Sequence, residues 1–172
     1  MRPDATSTTR HTSREGTHAS DAAGLRVAIV ASSYHADVTG ALREGAAGAL
    51  RARGGTGLVE ESAPGAFELP MVAQALAARG DIDAVVAIGC VLTGETSHDR
   101  FICDAVSHGL MQVALRHNLP VTFGVLTCVT IEQARARAGG AKGNKGAEAM
   151  DAAIDAALAI RRHAAKGSKA HS

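Results

Sequence analysis

Residues 82–101 read IDAVVAIGCVLTGETSHDRF. From Ile82 to Leu92 the run is almost wholly apolar and rich in β-branched residues, which marks a buried core strand. Thr93 to Arg100 then bring no apolar residue at all. Beyond them apolar spacing turns helical: Ile102, Ala105, Val106, Gly109, Leu110 and Val113 fall on one face of a helix expected over 97–118. A core strand that opens into a polar cluster and then a helix is a unit of an α/β fold.

Working outward, the same alternation recurs. LRVAIVAS (25–32) is a strand, and DVTGALREGAAGALRARGG (37–55) has helical spacing and stops in glycines. TGLVEES (56–62) is a weaker strand. FELPMVAQALAARGD (67–81) carries a helix whose first turn accommodates Pro70. PVTFGVLTC (120–128) is a fourth strand, and 130–138 form a short helix. GGAKGNKG (139–146) reads as a turn, and a last helix covers 147–163 with Met150, Ile154 and Leu158 on its buried face. Strands alternating with helices predict a parallel sheet with right-handed crossovers and helices on both faces.

The totals narrow the class. The chain has 172 residues, the size of one domain, and a formal net charge of +1, which favours neither nucleic acid nor a membrane surface. No apolar run approaches the roughly 18 residues of a membrane span. Residues 1–23, biased to Ser, Thr, His and Arg, read as a disordered tail without the apolar core of a secretory signal. Residues 24–163 form the domain, and 164–172 a second tail. Cys90, Cys103 and Cys128 make an odd set with no CxxC pair, which fits buried thiols in the cytoplasm. A zinc site from Cys90, His98 and Cys103 lacks any familiar ligand spacing.

In parallel sheets ligands bind beyond the carboxyl ends of the strands, so the candidate residues are those at 33–37, 63–68, 90–98 and 127–131. The chain has one Tyr, three Phe and no Trp. Tyr34 and Phe67 follow the first two strands, Phe123 lies in the fourth, and Phe101 lies early in the long helix. The rings either plug the sheet or stack on a flat ligand. Glu68 at a helix start is favoured by the helix dipole, and is equally an acceptor for ligand hydroxyls. Gly94, Thr96 and Ser97 precede the long helix, as an ordinary cap or as an anion site. His98 suits proton transfer near neutrality, with His35 a second candidate. Arg137 and Lys145 flank the glycine turn, either as solvated charges or as anion ligands.

IVASSYHADVTGALREGA, APGAFELP, AIGCVLTGETSH, FICDAVSHGLMQVAL, PVTFGVLTCVTIEQARARAG and GNKGAEA stand in order between Gly24 and Ile160. In these motifs and their spacing the chain resembles the 6,7-dimethyl-8-ribityllumazine synthase family. The resemblance implies a flavodoxin-like three-layer α/β/α sandwich with a four-stranded parallel sheet. It implies condensation of 5-amino-6-(D-ribitylamino)uracil with 3,4-dihydroxy-2-butanone 4-phosphate, the penultimate step of riboflavin biosynthesis, with no metal or organic cofactor. It implies homopentamers, a sixty-subunit shell as a further expectation, and riboflavin synthase as a candidate partner. On matching positions, Tyr34 stacks on the pyrimidine, and Ala66, Phe67 and Glu68 contact ring and ribityl chain. Cys90, Val91 and Leu92 flank the pyrimidine. Glu95 and Thr96 belong to the phosphate loop, and His98 transfers protons. Phe123, Arg137 and Lys145 come from a neighbouring subunit, with Arg137 on the phosphate. Two departures stand out. Asp99 and Arg100 follow His98 where the family usually has an aromatic and then an acid, and His35 replaces a common Asn. A non-catalytic flavin- or lumazine-binding protein, or a shell protein, is the competing expectation on this scaffold.

Overall fold

A computed structural model describes residues 21–167. Eleven elements follow in chain order: β1 (Arg26–Ser32), α1 (Ala36–Ala52), β2 (Gly57–Ala63), α2 (Leu69–Ala77), β3 (Ala84–Leu92), α3 (His98–His117), β4 (Val121–Cys128), α4 (Ile131–Arg137), β5 (Ala138–Gly140), β6 (Gly143–Asn144) and α5 (Lys145–Gly167). The four long strands form one parallel sheet in the order β2-β1-β3-β4. β3 is buried on both faces from Ala84 to Cys90, as expected of a central parallel strand whose neighbours are strands and whose covers are helices.

Alternation along the strands sorts the core into two layers. Val27 and Ile29 of β1 and Val86 and Ile88 of β3 face one way, against Leu42 and Leu50 of α1 and Met150 and Ile154 of α5. Ala28, Val30, Val85 and Ala87 face the other way, against Leu69 and Leu76 of α2 and Val106, Leu110 and Val113 of α3. The molecule is a flavodoxin-like α/β/α sandwich, and its buried hydrophobic core contains no aromatic side chain among the described residues.

The structure revises the sequence reading in four places. Ala105 was expected on the buried face of α3 but is exposed. It sits about 100° around the helix from Val106, outside the narrow arc that Val106, Leu110 and Val113 press on the sheet. The glycine turn at 139–146 contains a short antiparallel hairpin, β5 with β6. α5 begins at Lys145 rather than 147, because Asn144 caps it: its Oδ1 accepts the amides of Gly146 (2.9 Å) and Ala147 (3.1 Å) while its Nδ2 donates to Ala41 O. α5 also continues to Gly167, so the first four residues of the expected C-terminal tail are helical.

Most of the expected N-terminal tail lies outside the described residues, but its last three do not. Ala22 is fully buried, and its amide donates to Arg53 O. The Arg53 side chain, 11% exposed, grips Asp21 through Nε (2.9 Å) and Asp155 through Nη2 (2.7 Å). Its Nη1 donates to the Asp151 carbonyl. The Asp21 bonds and then Asp155 raise the Arg53 pKa, while burial raises that of Asp151. One guanidinium thus ties the entry to β1, the end of α1 and the middle of α5. Arg53→Ala would leave these carboxylates facing each other, at a cost of about 2 kcal/mol by the usual worth of charged hydrogen bonds.

Backbone packing is tightest where α5 starts against α1. A Cβ on Gly146 would sit 2.0 Å from Leu42 O, whereas one on Gly48, inside α1, would meet nothing closer than 3.9 Å. Gly146→Ala should therefore lose roughly 1–3 kcal/mol through overpacking. Gly48→Ala should gain about 0.5–1 kcal/mol from helix propensity. Denaturant unfolding of the two variants beside the parent measures both signs; equal shifts would contradict the packing geometry.

Candidate active site

Two bonds align the strand ends. Ser33 donates from its amide (3.0 Å) and hydroxyl (3.1 Å) to Ala63 O, holding the turn after β1 against the turn after β2. The Thr93 amide donates to Cys128 O at 2.9 Å and does the same for β3 and β4. Between the first two turns, the end of β3 and the start of α3 lies a cavity of about 530 Å³. Tyr34, Ala66, Phe67, Glu68, Cys90, Val91, Leu92 and His98 all line it, joined by His35 and Ile102.

Its walls are built for close approach. Gly65 is buried, and a Cβ there would come within 3.0 Å of Glu68 Oε2 and 3.6 Å of Tyr34 Cε2. Glycine lets the phenol ring and the carboxylate converge. The rings are not plugs: Tyr34 is 67% and Phe67 60% exposed. Large apolar faces left open in a polar-tipped cavity are surfaces for stacking. Glu68 is the N-cap of α2, yet its side chain caps nothing and is free for a ligand.

His98 opens α3 and is exposed. Ser97 occupies the N-cap position as expected, but its hydroxyl makes no capping bond. The first amides of a long helix are therefore uncapped by any side chain, which is favourable for an anion. Glu95 and Thr96 lie on the exposed loop before it and do not line the cavity.

Phe123, Arg137 and Lys145 do not join this group. They line a separate cavity of about 520 Å³ at β4, with Thr127, Glu148 and Ala149. Arg137 Nη1 donates to Gln133 O at 3.1 Å, at the end of α4. Lys145 Nζ donates to both Glu148 oxygens at 2.7 and 2.8 Å. One chain thus carries two separate cavities: a ring-and-histidine cavity over β1 to β3, and a cationic cavity at the β4 edge.

The sequence reading missed the role of Asp37. It accepts two bonds from Arg135, at 3.0 and 2.9 Å, linking the first turn of α1 to α4. That side-chain bond from Arg135 is the main cause holding the Asp37 carboxyl below its usual range. The pair forms above the ordinary carboxylate range and is lost as pH falls through the lowered value. No local signal marks it, since the partners are 98 residues apart. Among the described residues, no group of three or more His, Cys, Asp or Glu side chains is placed to share a metal ion.

Cys90 is the thiol on the cavity wall. Burial chiefly, with Cys128 and Asp37 adding to it, pushes it up to about 11. At pH 8 about one molecule in a thousand would carry the thiolate. Alkylation of Cys90 by a small thiol reagent should be slow at pH 8 and speed up about tenfold per pH unit toward 11. Peptide mapping of the alkylated protein measures this, and rapid labelling at pH 7 would contradict the buried geometry.

Comparison with known proteins bears on this arrangement. The family model described as 6,7-dimethyl-8-ribityllumazine synthase matches residues 24–161. Proteins of that name from Frankia casuarinae and Kineococcus radiotolerans are 50% and 48% identical to this chain. Their alignments cover 81% and 82% of it and 88% of each relative. The protein of that name from Thermus thermophilus is 47% identical over 78% of this chain and 87% of its own length. With the family's motifs lining the strand-end cavity and its model spanning nearly all of the sandwich, the chain belongs to the 6,7-dimethyl-8-ribityllumazine synthase family.

Proposed function

We propose that the cavity over β1 to β3 is the larger part of an active site that condenses 5-amino-6-(D-ribitylamino)uracil with 3,4-dihydroxy-2-butanone 4-phosphate. The products are 6,7-dimethyl-8-ribityllumazine, phosphate and water. The observation that carries this reading is the convergence of two open aromatic rings, one free carboxylate and two histidines, His35 and His98, in a single cavity. The uracil stacks on Tyr34, with Ala66 and Phe67 along its edge and Cys90, Val91 and Leu92 beneath it. Glu68 accepts hydrogen bonds from ribityl hydroxyls. The butanone phosphate lies toward Glu95, Thr96 and the uncapped start of α3. The ring amine attacks the ketone, whose oxygen leaves as water to give a Schiff base; phosphate is eliminated, and the second nitrogen closes the ring on the remaining carbonyl, whose oxygen leaves as a second water. His98 carries protons near the phosphate end.

A second copy completes the site. Phe123, Arg137 and Lys145 stand apart from His98 in one chain, so a neighbour's β4 edge supplies them, with Arg137 on the phosphate. Exposed Phe101, Met111, Leu115 and Met71 give further apolar surface for subunits to cover. The proposed assembly is a pentamer, with a sixty-subunit shell and enclosed riboflavin synthase as its extension. Three free thiols suit the cytoplasm.

Mixing the two substrates with purified protein should generate lumazine fluorescence, and absence of turnover would remove the enzymatic reading. Light scattering should give pentamers or larger; a fully active monomer would refute the shared site. General acid–base catalysis is worth about 10²–10⁴-fold, part of which water can recover. His98→Ala should accordingly lower kcat with little change in KM for the phosphate substrate. Arg137→Ala should raise KM for the butanone phosphate and slow turnover while sparing uracil binding, and Lys at that position should rescue only partly because it loses the bidentate fork. Kinetics of Arg137→Ala matching the parent's would exclude this residue.

A further inference from the structure

Among the described non-glycine residues, His35 and Asn118 take a left-handed backbone. Asn118 closes α3, where asparagine is the usual substitute for glycine. His35 is the N-cap of α1, with φ 54° and ψ 53°. Its carbonyl accepts the Val38 and Thr39 amides and the Thr39 hydroxyl, so the backbone is pinned. Its imidazole caps nothing. A residue with a Cβ is disfavoured in this conformation and glycine is not. The side chain kept there lines the ligand cavity beside Tyr34, on the wall formed by the β1–α1 turn. His98 lines the same cavity from the start of α3. Two imidazoles therefore face one space from two elements.

We propose that His35 is a second proton-transfer residue of this site, serving the amine of the stacked ring while His98 serves the phosphate end. This rests on the condensation proposed above. Schiff-base formation moves both amine protons to the ketone oxygen, which leaves as water as the new C–N bond becomes C=N. Neutral His35 accepts each proton from nitrogen and delivers it to oxygen, so nothing is consumed. The other titratable or charged groups facing it are Tyr34 on its own turn, Glu68 from the β2–α2 turn, Cys90 from β3 and His98 from α3. Asp37 lies two residues on and is held by Arg135 of α4.

The test is the pH profile of kcat/KM for the uracil substrate in the full-length protein. His35→Asn keeps a residue that tolerates the left-handed turn but removes the titrating group. A neutral imidazole is the proton acceptor, so the parent's rate should fall on acidification through two ionisations, one for each histidine. His35→Asn should delete one of them and slow turnover at neutral pH about tenfold or more, at unchanged Tm and assembly. Added imidazole should restore rate to His35→Gly. An unchanged pH profile in His35→Asn, at any rate, overturns the inference, as does a His35→Gly variant that imidazole does not rescue. A parent protein that makes no lumazine would instead overturn the condensation itself, so the two failures are distinct.

Discussion

The burial of β3 is the constraint from which the rest follows. It has strands on both sides and helices on both faces, so no polar side chain can sit along it without losing water and gaining no partner. Polar chemistry can start only where the strand leaves the sheet. The chain does this within one residue, passing from Leu92 to Thr93 and the polar run that ends at Arg100. The neighbouring strands are parallel to β3, so their own exits lie at the same edge. Tyr34, the Ala66–Glu68 turn and His98 meet there because parallel topology leaves them no other place.

A core without aromatic side chains changes what the few rings can do. Aliphatic side chains and alanines fill both layers of the sandwich. Tyr34, Phe67, Phe101 and Phe123 are all exposed, each presenting an apolar face to the medium. Tyr34 and Phe67 bound a cavity, while Phe123 borders the cationic cavity at the β4 edge. Ion pairs fix the frame that carries these openings, at both ends of α1. Arg135 with Asp37 steadies the first turn of α1, and Arg53 locks α1 to α5 and to the segment entering β1.

Much of this is legible in the chain itself. The strand run at 82–92, the helical spacing after it and the repetition of that pattern gave the order of the four long strands and five helices and the parallel sheet. The motifs named the residues lining the first cavity, from Tyr34 to His98. Less legible were contacts between residues far apart in the chain. Nothing near Arg53 marks Asp21 and Asp155 as its partners, and nothing near Asp37 marks Arg135. Asn144 was hidden for another reason. It lies in a glycine turn, and only its three bonds to α5 and Ala41 reveal a cap rather than a loop residue.

By itself the sequence determined the order of the four long strands and five helices, because hydrophobic period is a local property of the chain. It also determined which residue types stand at each strand end. The tertiary structure alone decided which of those residues share a cavity. His98 and Tyr34 are brought together, while Arg137 and Lys145 are held at the β4 edge. It also decided that His35 turns left-handed with its imidazole on the cavity wall. These outcomes depend on strand order, register and the packing of α1, α4 and α5 across the sheet, which are sums of many distant contacts and leave no periodic trace in the chain.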